Sequence, residues 1–316
     1  FDLDGFERVP HPDEQAIPLH TPRVEVPAKL AAICSSERHD RLTHTYGKSF
    51  PDYVRIYDSA FANAPDIVAY AKSEEDVVEV LDWATGANVA VVPFGGGSSV
   101  VGGIEPAVGG NFAGSLSLDL TGLDQILEID KTSRAARMQG GIRCPGIESG
   151  LKPEGLTLRH FPQSFDLATL GGMIATRSGG HFATLYTHID DFVESTRMVT
   201  PAGIMESRRL PGSGAGPSPD RLAIGSEGAL GIITEAWMRL QDRPTYRASA
   251  AVQFADFGRA VEAVRQLTQS GLFPANVRLL DQNEAFLNGA GDGSHTVVVL
   301  GFESADHPVE AWMDRG

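Results

Sequence analysis

The chain has 316 residues, 42% apolar and 21% charged, and its 41 Asp and Glu against 26 Lys and Arg give a formal net charge of −15. That length supports two domains with separate cores, and the acidic balance argues against a nucleic-acid backbone or an anionic membrane surface as the main partner. Two cysteines without a CxxC or Cys/His cluster argue against a structural zinc, any other metal site or a disulfide framework, and no run of eighteen apolar residues offers a spanning helix.

The first 50 residues, rich in Pro, His and charge, read as an irregular N-terminal arm with one short helix near Val26–Ser35. Strand-like runs follow at Tyr53–Asp58 and Ile67–Tyr70. Ser73-Glu-Glu-Asp76 has the chemistry of a helix start, a hydroxyl cap followed by acids in the first turn. Val77, Val80, Leu81 and Ala84 continue it at helical spacing, and Gly86 ends it. The strand Val89–Val92 then runs into PFGGGSSV at 93–100, so this loop closes a β-α-β unit. Leu116–Leu118, Ile126–Ile129 and Ala135–Gln139 read as strands, and Ile142–Leu151 as a short helix. Two further glycine-rich stretches are PQSFDLATLGG at 162–172, continuing to ATRSGG at 175–180, and GSEGALGIITEA at 225–236. Between them lies a hairpin, Val193–Val199 and Ile204–Ser207, turning at Thr200-Pro-Ala-Gly203. Pro211–Pro219 reads as a flexible surface loop. From about residue 246 the pattern becomes β-α-β-β: Ala248–Phe254, Phe257–Leu267, Val277–Leu280 and Thr296–Gly301. It stops at Gly316 as the unfinished opening of a second α+β domain.

Glycine reaches positive φ at little steric cost, and successive backbone N–H groups can then wrap an anion. The first loop lacks the Lys-Ser/Thr of a Walker A loop and the G-x-G-x-x-G spacing of a dinucleotide fold. Each glycine segment alone is as well explained by a tight turn. Three in one domain suit a large dinucleotide, which needs backbone donors along its length.

PFGGGSSV, PQSFDLATLGG with ATRSGG, and GSEGALGIITEA, in that order, resemble the PCMH-type FAD-binding domain of the vanillyl-alcohol-oxidase superfamily over roughly residues 50–245. PDIV at 65–68, MVTP at 198–201, GSEG at 225–228 and VRLLD at 277–281 are further similar to its alkyldihydroxyacetonephosphate synthase branch. The resemblance implies an α+β fold. A PCMH-type FAD domain of two α+β subdomains, 51–245, would follow the arm 1–50 and precede an incomplete ferredoxin-like cap, 246–316. It implies FAD with the pyrophosphate at Pro93, Phe94, Gly95, Gly96, Gly97, Ser98 and Ser99. The middle of the cofactor and its ring would lie along Gln163, Ser164, Phe165, Asp166, Leu167, Ala168 and Thr169 and along Thr176, Arg177, Ser178 and Gly179. The far end would meet Glu227, Gly228, Ala229, Leu230, Gly231, Ile232 and Ile233. Many relatives link flavin covalently to a histidine after the paired glycines; Gly97-Ser98-Ser99 has none, so the FAD is expected to be non-covalent.

The synthase likeness implies exchange of the acyl group of an acyl-dihydroxyacetone phosphate for a fatty alcohol, giving an ether lipid without net redox change. Arg278 is the first candidate at the substrate face and Arg177 the second, because a guanidinium fork suits phosphate. The alternatives are a strand-end ion pair of Arg278 with Asp281 and a surface role for Arg177. His181 and His188 read more readily as packed or surface histidines than as acid–base groups. Two other functions stay open: an FAD-linked oxidase or dehydrogenase of a small 2-hydroxy acid, and a flavin-binding remnant without catalysis. The expected partner is a small lipid-phosphate substrate, with a cytoplasmic location; peripheral membrane contact and a homodimer stay open.

Overall fold

The computed structural model describes residues 9–186, 188–210 and 218–316, so most of the loop expected at 211–219 lies outside the described residues. Its first layer is a sheet of β1 (Cys34–Ser35), β2 (Ile67–Tyr70), β3 (Val89–Phe94) and β4 (Gly114–Asp119), in the order β1-β2-β4-β3. Strands β2, β4 and β3 run parallel, so the crossover from β2 to β3 leaves a gap that β4 fills. Of the helices that pack here, α1 spans Arg38–Thr43, α2 Phe50–Tyr57 and α3 Glu74–Ala87. Helix α3 starts as expected. Ser73 Oγ accepts from Asp76 N–H, and Asp76 Oδ2 accepts from Ser73 N–H, each at 3.1 Å. It ends one residue beyond Gly86, at a left-handed Asn88. Val77, Val80 and Ala84 face the sheet and are buried, which at about 1.5–3 kcal/mol per valine fixes the helix on the sheet.

Two local readings are corrected. Tyr53–Asp58 is the body of α2, not a strand: Ser49 and Asp52 form a reciprocal capping box, and Pro51 sits in the first turn. Val26–Ser35 holds only a single 3₁₀ turn at Ala28–Leu30, followed by β1, which pairs with β2.

The second layer contains β5 (Ile126–Asp130), β6 (Ala135–Gln139), β8 (Val193–Thr200), β9 (Gly203–Glu206) and β10 (Ile232–Arg239); β7 (Leu156–Thr157) pairs separately with β11 (Gln241–Asp242). The sheet is antiparallel in the order β5-β6-β10-β8-β9. Helices α4 (Cys144–Leu151) and α5 (Leu170–Thr176) cover it, and α6 (Ala183–Tyr186) and α7 (Ile189–Phe192) precede β8. Met138, Ile147, Leu151, Leu170, Phe192 and Met238 form its core. A third unit comprises β12 (Tyr246–Phe254), α8 (Phe257–Gln269), β13 (Asn276–Leu280), α9 (Gln282–Leu287), β14 (Thr296–Ser304) and α10 (Glu310–Arg315). Its antiparallel order is β12-β14-β13, with β14 in the middle. The fold class is thus the expected α+β one. Among the described residues no helix is long and apolar enough to cross a membrane.

Candidate functional site

The three glycine segments meet. The first leaves β3 at Phe94, whose ring is buried against His44 with centroids 4.4 Å apart. The second forms a turn in which Leu167 and Ala168 N–H both donate to Ser164 O, at 2.9 and 2.8 Å, before Thr169 opens α5. The third is tied to the end of α5: Gly225 N–H donates to Ile174 O and Glu227 N–H to Ala175 O, both at 3.0 Å.

Glycine is required where the segments touch. A Cβ on Gly96 would lie 1.6 Å from Leu167 O, and one on Gly95 would lie 2.3 Å from Thr169 Oγ1. The first loop therefore packs backbone to backbone on the second.

The result is an open cleft of about 630 Å³ lined by Pro93, Gly95, Ser99, Thr169, Thr176, Glu227, Gly228, Gly231, Ile232 and Ile233. It continues past Gly96, Gly97, Ser98, Ser164, Ala168 and Ser178. Ala229 and Leu230 line an adjoining recess with Gly228, Gly231 and Ile232. Gly103, Ile104, Leu120, Gly171, Gly172, Met173 and Ala175 also line the walls, although the sequence reading did not select them. Gly171 and Gly172 stood inside a quoted motif, but only the turn of α5 shows which face they present.

Several expected residues lie off the cleft wall. Phe94 supports the loop from behind. Phe165 stacks on Phe161 at 5.1 Å, Leu167 offers its carbonyl to the Gly96 contact, and Gln163 and Asp166 are exposed. Gly179 lies against the His188 ring. Arg177 sits in the left-handed region at φ +51 and is exposed; its guanidinium donates to Asp190 Oδ2 at 2.6 Å.

The charge pattern of the cleft is informative. Among the described residues that line it, Glu227 is the only one with a charged side chain. Among the described residues, no acceptor takes the five consecutive backbone N–H groups of Gly95 to Ser99. An anion bound here would be held by amide dipoles on a loop the glycines leave open. Among the described residues no His/Cys/Asp/Glu group is arranged to hold a metal ion.

Arg278 lies outside this wall, on β13 opposite Val299 of β14, and is exposed. It makes no ion pair among the described residues; Asp281 instead caps α9 by accepting from Glu284 N–H at 2.8 Å. Its neighbour is His181, whose ring is held below the usual histidine range by partial burial and by the Arg278 charge. Nearby His160 is 2% exposed, and burial, with a smaller contribution from His188, pushes its pKa down to about 4. Its Nε2 lies 2.7 Å from Ser178 Oγ, which places a neutral imidazole behind a hydroxyl of the cleft wall.

Two family models match the chain: an FAD binding domain over residues 65–207, and the C-terminal domain of FAD linked oxidases over 243–312. The chain is 39% identical over 250 residues to an alkyldihydroxyacetonephosphate synthase of Dictyostelium discoideum, covering 79% of this chain and 41% of that protein. It is 33% identical over 254 residues to the synthase of Trypanosoma brucei brucei, covering 80% and 41%. Glycolate oxidase subunit GlcD of Bacillus subtilis is 30% identical over 233 residues, covering 72% and 48%. A solved structure described as alkyldihydroxyacetonephosphate synthase superposes with a TM-score of 0.88 at 30% identity, over 99% of this chain and 63% of that one. The chain thus spans under half the length of these curated relatives.

Proposed function

We propose that this chain, which belongs to the PCMH-type FAD-binding superfamily of FAD-linked enzymes and takes FAD as its cofactor, serves an alkyldihydroxyacetonephosphate-synthase-like reaction, in which the acyl group of an acyl-dihydroxyacetone phosphate leaves as a fatty acid and a fatty alcohol takes its place through an ether bond. In this reading residues 1–50 are an arm, 51–245 hold FAD, and the cap begins at 246. The amides of Gly95 to Ser99 take the pyrophosphate, the surfaces from Ser164 to Thr169 and from Thr176 to Ser178 take the middle and the ring, and Glu227–Ile233 take the far end. With Ser98 and Ser99 after the glycines in place of a histidine, the FAD is non-covalent. FAD, when bound, supplies an electron sink for the chemistry.

The observation that carries the reading is Arg278, a guanidinium without a carboxylate partner among the described residues, beside His181. An unpaired fork of this kind holds a phosphate dianion in two hydrogen bonds. Lowering the His181 pKa keeps more of that ring neutral near pH 7, so that it can accept or donate a proton. The higher identity to synthases, 39% and 33% against 30% for the glycolate oxidase subunit, supports the ether-forming reaction. The substrate being a lipid, the reading includes a cytoplasmic protein that docks peripherally on a membrane.

The test supplies FAD-loaded protein with acyl-dihydroxyacetone phosphate and labelled hexadecanol. Alkyl-dihydroxyacetone phosphate is expected, and its absence from loaded protein refutes the reading. The 2-hydroxy-acid alternative predicts instead that lactate or glycolate bleaches the flavin in the absence of oxygen.

A further inference from the structure

We infer that Arg159 and Glu303 form a latch between the cofactor-binding layers and the third unit, and that Arg159 is a positioning residue for Arg278. Arg159 follows β7 and Glu303 lies in β14, 144 positions away, yet their side chains are only 8% and 4% exposed. The pair is bidentate: Arg159 Nε donates to Glu303 Oε1 at 2.6 Å, and a second guanidinium nitrogen donates to Oε2. The guanidinium also lies over the rings of Phe161, at 5.1 Å, and Phe182, at 4.3 Å. Tyr186 of α6 shares the pocket, and burial together with the Glu303 carboxylate pushes its hydroxyl up to about 12.

The backbone is also committed. Arg159 has φ +58, a conformation that disfavours a residue with a Cβ. Its N–H is held by Thr157 Oγ1 at 3.1 Å and Glu148 Oε1 at 3.3 Å. Such strain persists only when surrounding contacts over-determine it, and the two rings and the carboxylate supply those contacts.

The contacts form a closed circuit across the interface. Glu303 holds Arg159, and Arg159 packs on Phe161. Phe161 O accepts from His181 N–H at 2.9 Å. His181 senses the charge of Arg278, and Arg278 stands opposite Val299 in the same strand as Glu303. Fixing Glu303 therefore fixes where Arg278 sits relative to His181 and to the turn that carries Phe165. The consequence for substrate rests on the function proposed above; the latch itself does not.

The test uses the full chain, as purified and after FAD loading, with Arg159→Gly, Glu303→Gln and the double variant. Arg159→Gly relieves the backbone while removing the guanidinium. The double variant leaves no buried charge without a partner, so it carries the test if a single variant does not fold. NMR titration of the His181 ring, assigned with His181→Gln, reads the circuit without any substrate. The latch predicts that its pKa rises in every folded variant, as it does in Arg278→Ala. It also predicts that the two single substitutions are strongly non-additive in stability. With the synthase substrates, KM for the phosphate substrate rises about tenfold with kcat within about twofold, the pattern of a lost binding interaction. An unchanged His181 titration, or additive stabilities, overturns the latch. An intact latch signal with no alkyl product overturns only the proposed function.

Discussion

Replacing Gly96 by alanine isolates the loop-on-loop contact, because this glycine does not have positive φ and the substitution acts through space alone. The new Cβ would stand 1.6 Å from Leu167 O and 2.4 Å from Leu167 C. An ordinary contact needs about 3.5 Å, so the two segments must part by roughly 2 Å. Three of the segment's backbone bonds lie next to the displaced carbonyl: Leu167 N–H and Ala168 N–H to Ser164 O, and Cys144 N–H to Ala168 O at 3.2 Å. At about 1 kcal/mol net each, losing them costs about 3 kcal/mol, which expressed in cofactor affinity is roughly a hundredfold. Gly103→Ala is the control, since it lies on the same cleft but its Cβ would meet Glu227 Oε2 at 3.6 Å and Ser99 Oγ at 3.8 Å, both ordinary contacts. Apoprotein is titrated with FAD by flavin fluorescence, and both forms are melted. The reasoning fails if Gly96→Ala binds FAD within about twofold of the parent, or if Gly103→Ala loses as much.

Three other outcomes are expected. Arg278→Ala should raise KM for the phosphate substrate at least about tenfold while leaving the FAD dissociation constant unchanged; equal damage to both would place Arg278 in cofactor binding instead. His160 is held near pKa 4 when folded against an ordinary 6.5, so the unfolded chain binds its proton more tightly and stability rises with pH across that window. Acidifying from pH 7 to below pH 4 should remove roughly 3 kcal/mol, and His160→Gln should flatten that part of the profile; urea curves at pH 7 and 4.5 with the same parent–variant gap would refute it. Ser73→Ala removes the capping box of α3 and should cost about 1 kcal/mol in urea denaturation, with FAD affinity unaffected.

Local chemistry was the legible part of the sequence. The Ser73–Asp76 cap, the hairpin turn at Thr200-Pro-Ala-Gly203 and the glycine segments are decided within a few residues, and the sequence shows each. Tyr53–Asp58 resembles a strand by itself, and the signal that makes it helical stands upstream, where the reciprocal bonds of Ser49 and Asp52 start a helix. That the glycine segments touch could be inferred from their company. Which carbonyl each glycine packs against could not, because nothing in one dimension shows that Gly96 meets Leu167 O while Gly171 meets Gly140 O and Ile233 O. Long-range ion pairs left no signal at all: nothing near Arg159 announces Glu303. Arg278 was selected from a motif, while its proximity to His181 emerges only when β13 is laid against α6.

The position of β10 bears on how the site comes into being. It is the central strand of its sheet, between β6 and β8, but comes after β5, β6, β8 and β9 in the chain. A growing chain that has not reached residue 232 presents two open strand edges, the kind of surface that invites mispairing. The third glycine segment leads directly into this strand. Sheet closure and assembly of the cleft therefore belong to one late, long-range step. A fragment that stops before Ile232 leaves the edges of β6 and β8 unpaired and lacks Ile232 and Ile233 of the cleft wall.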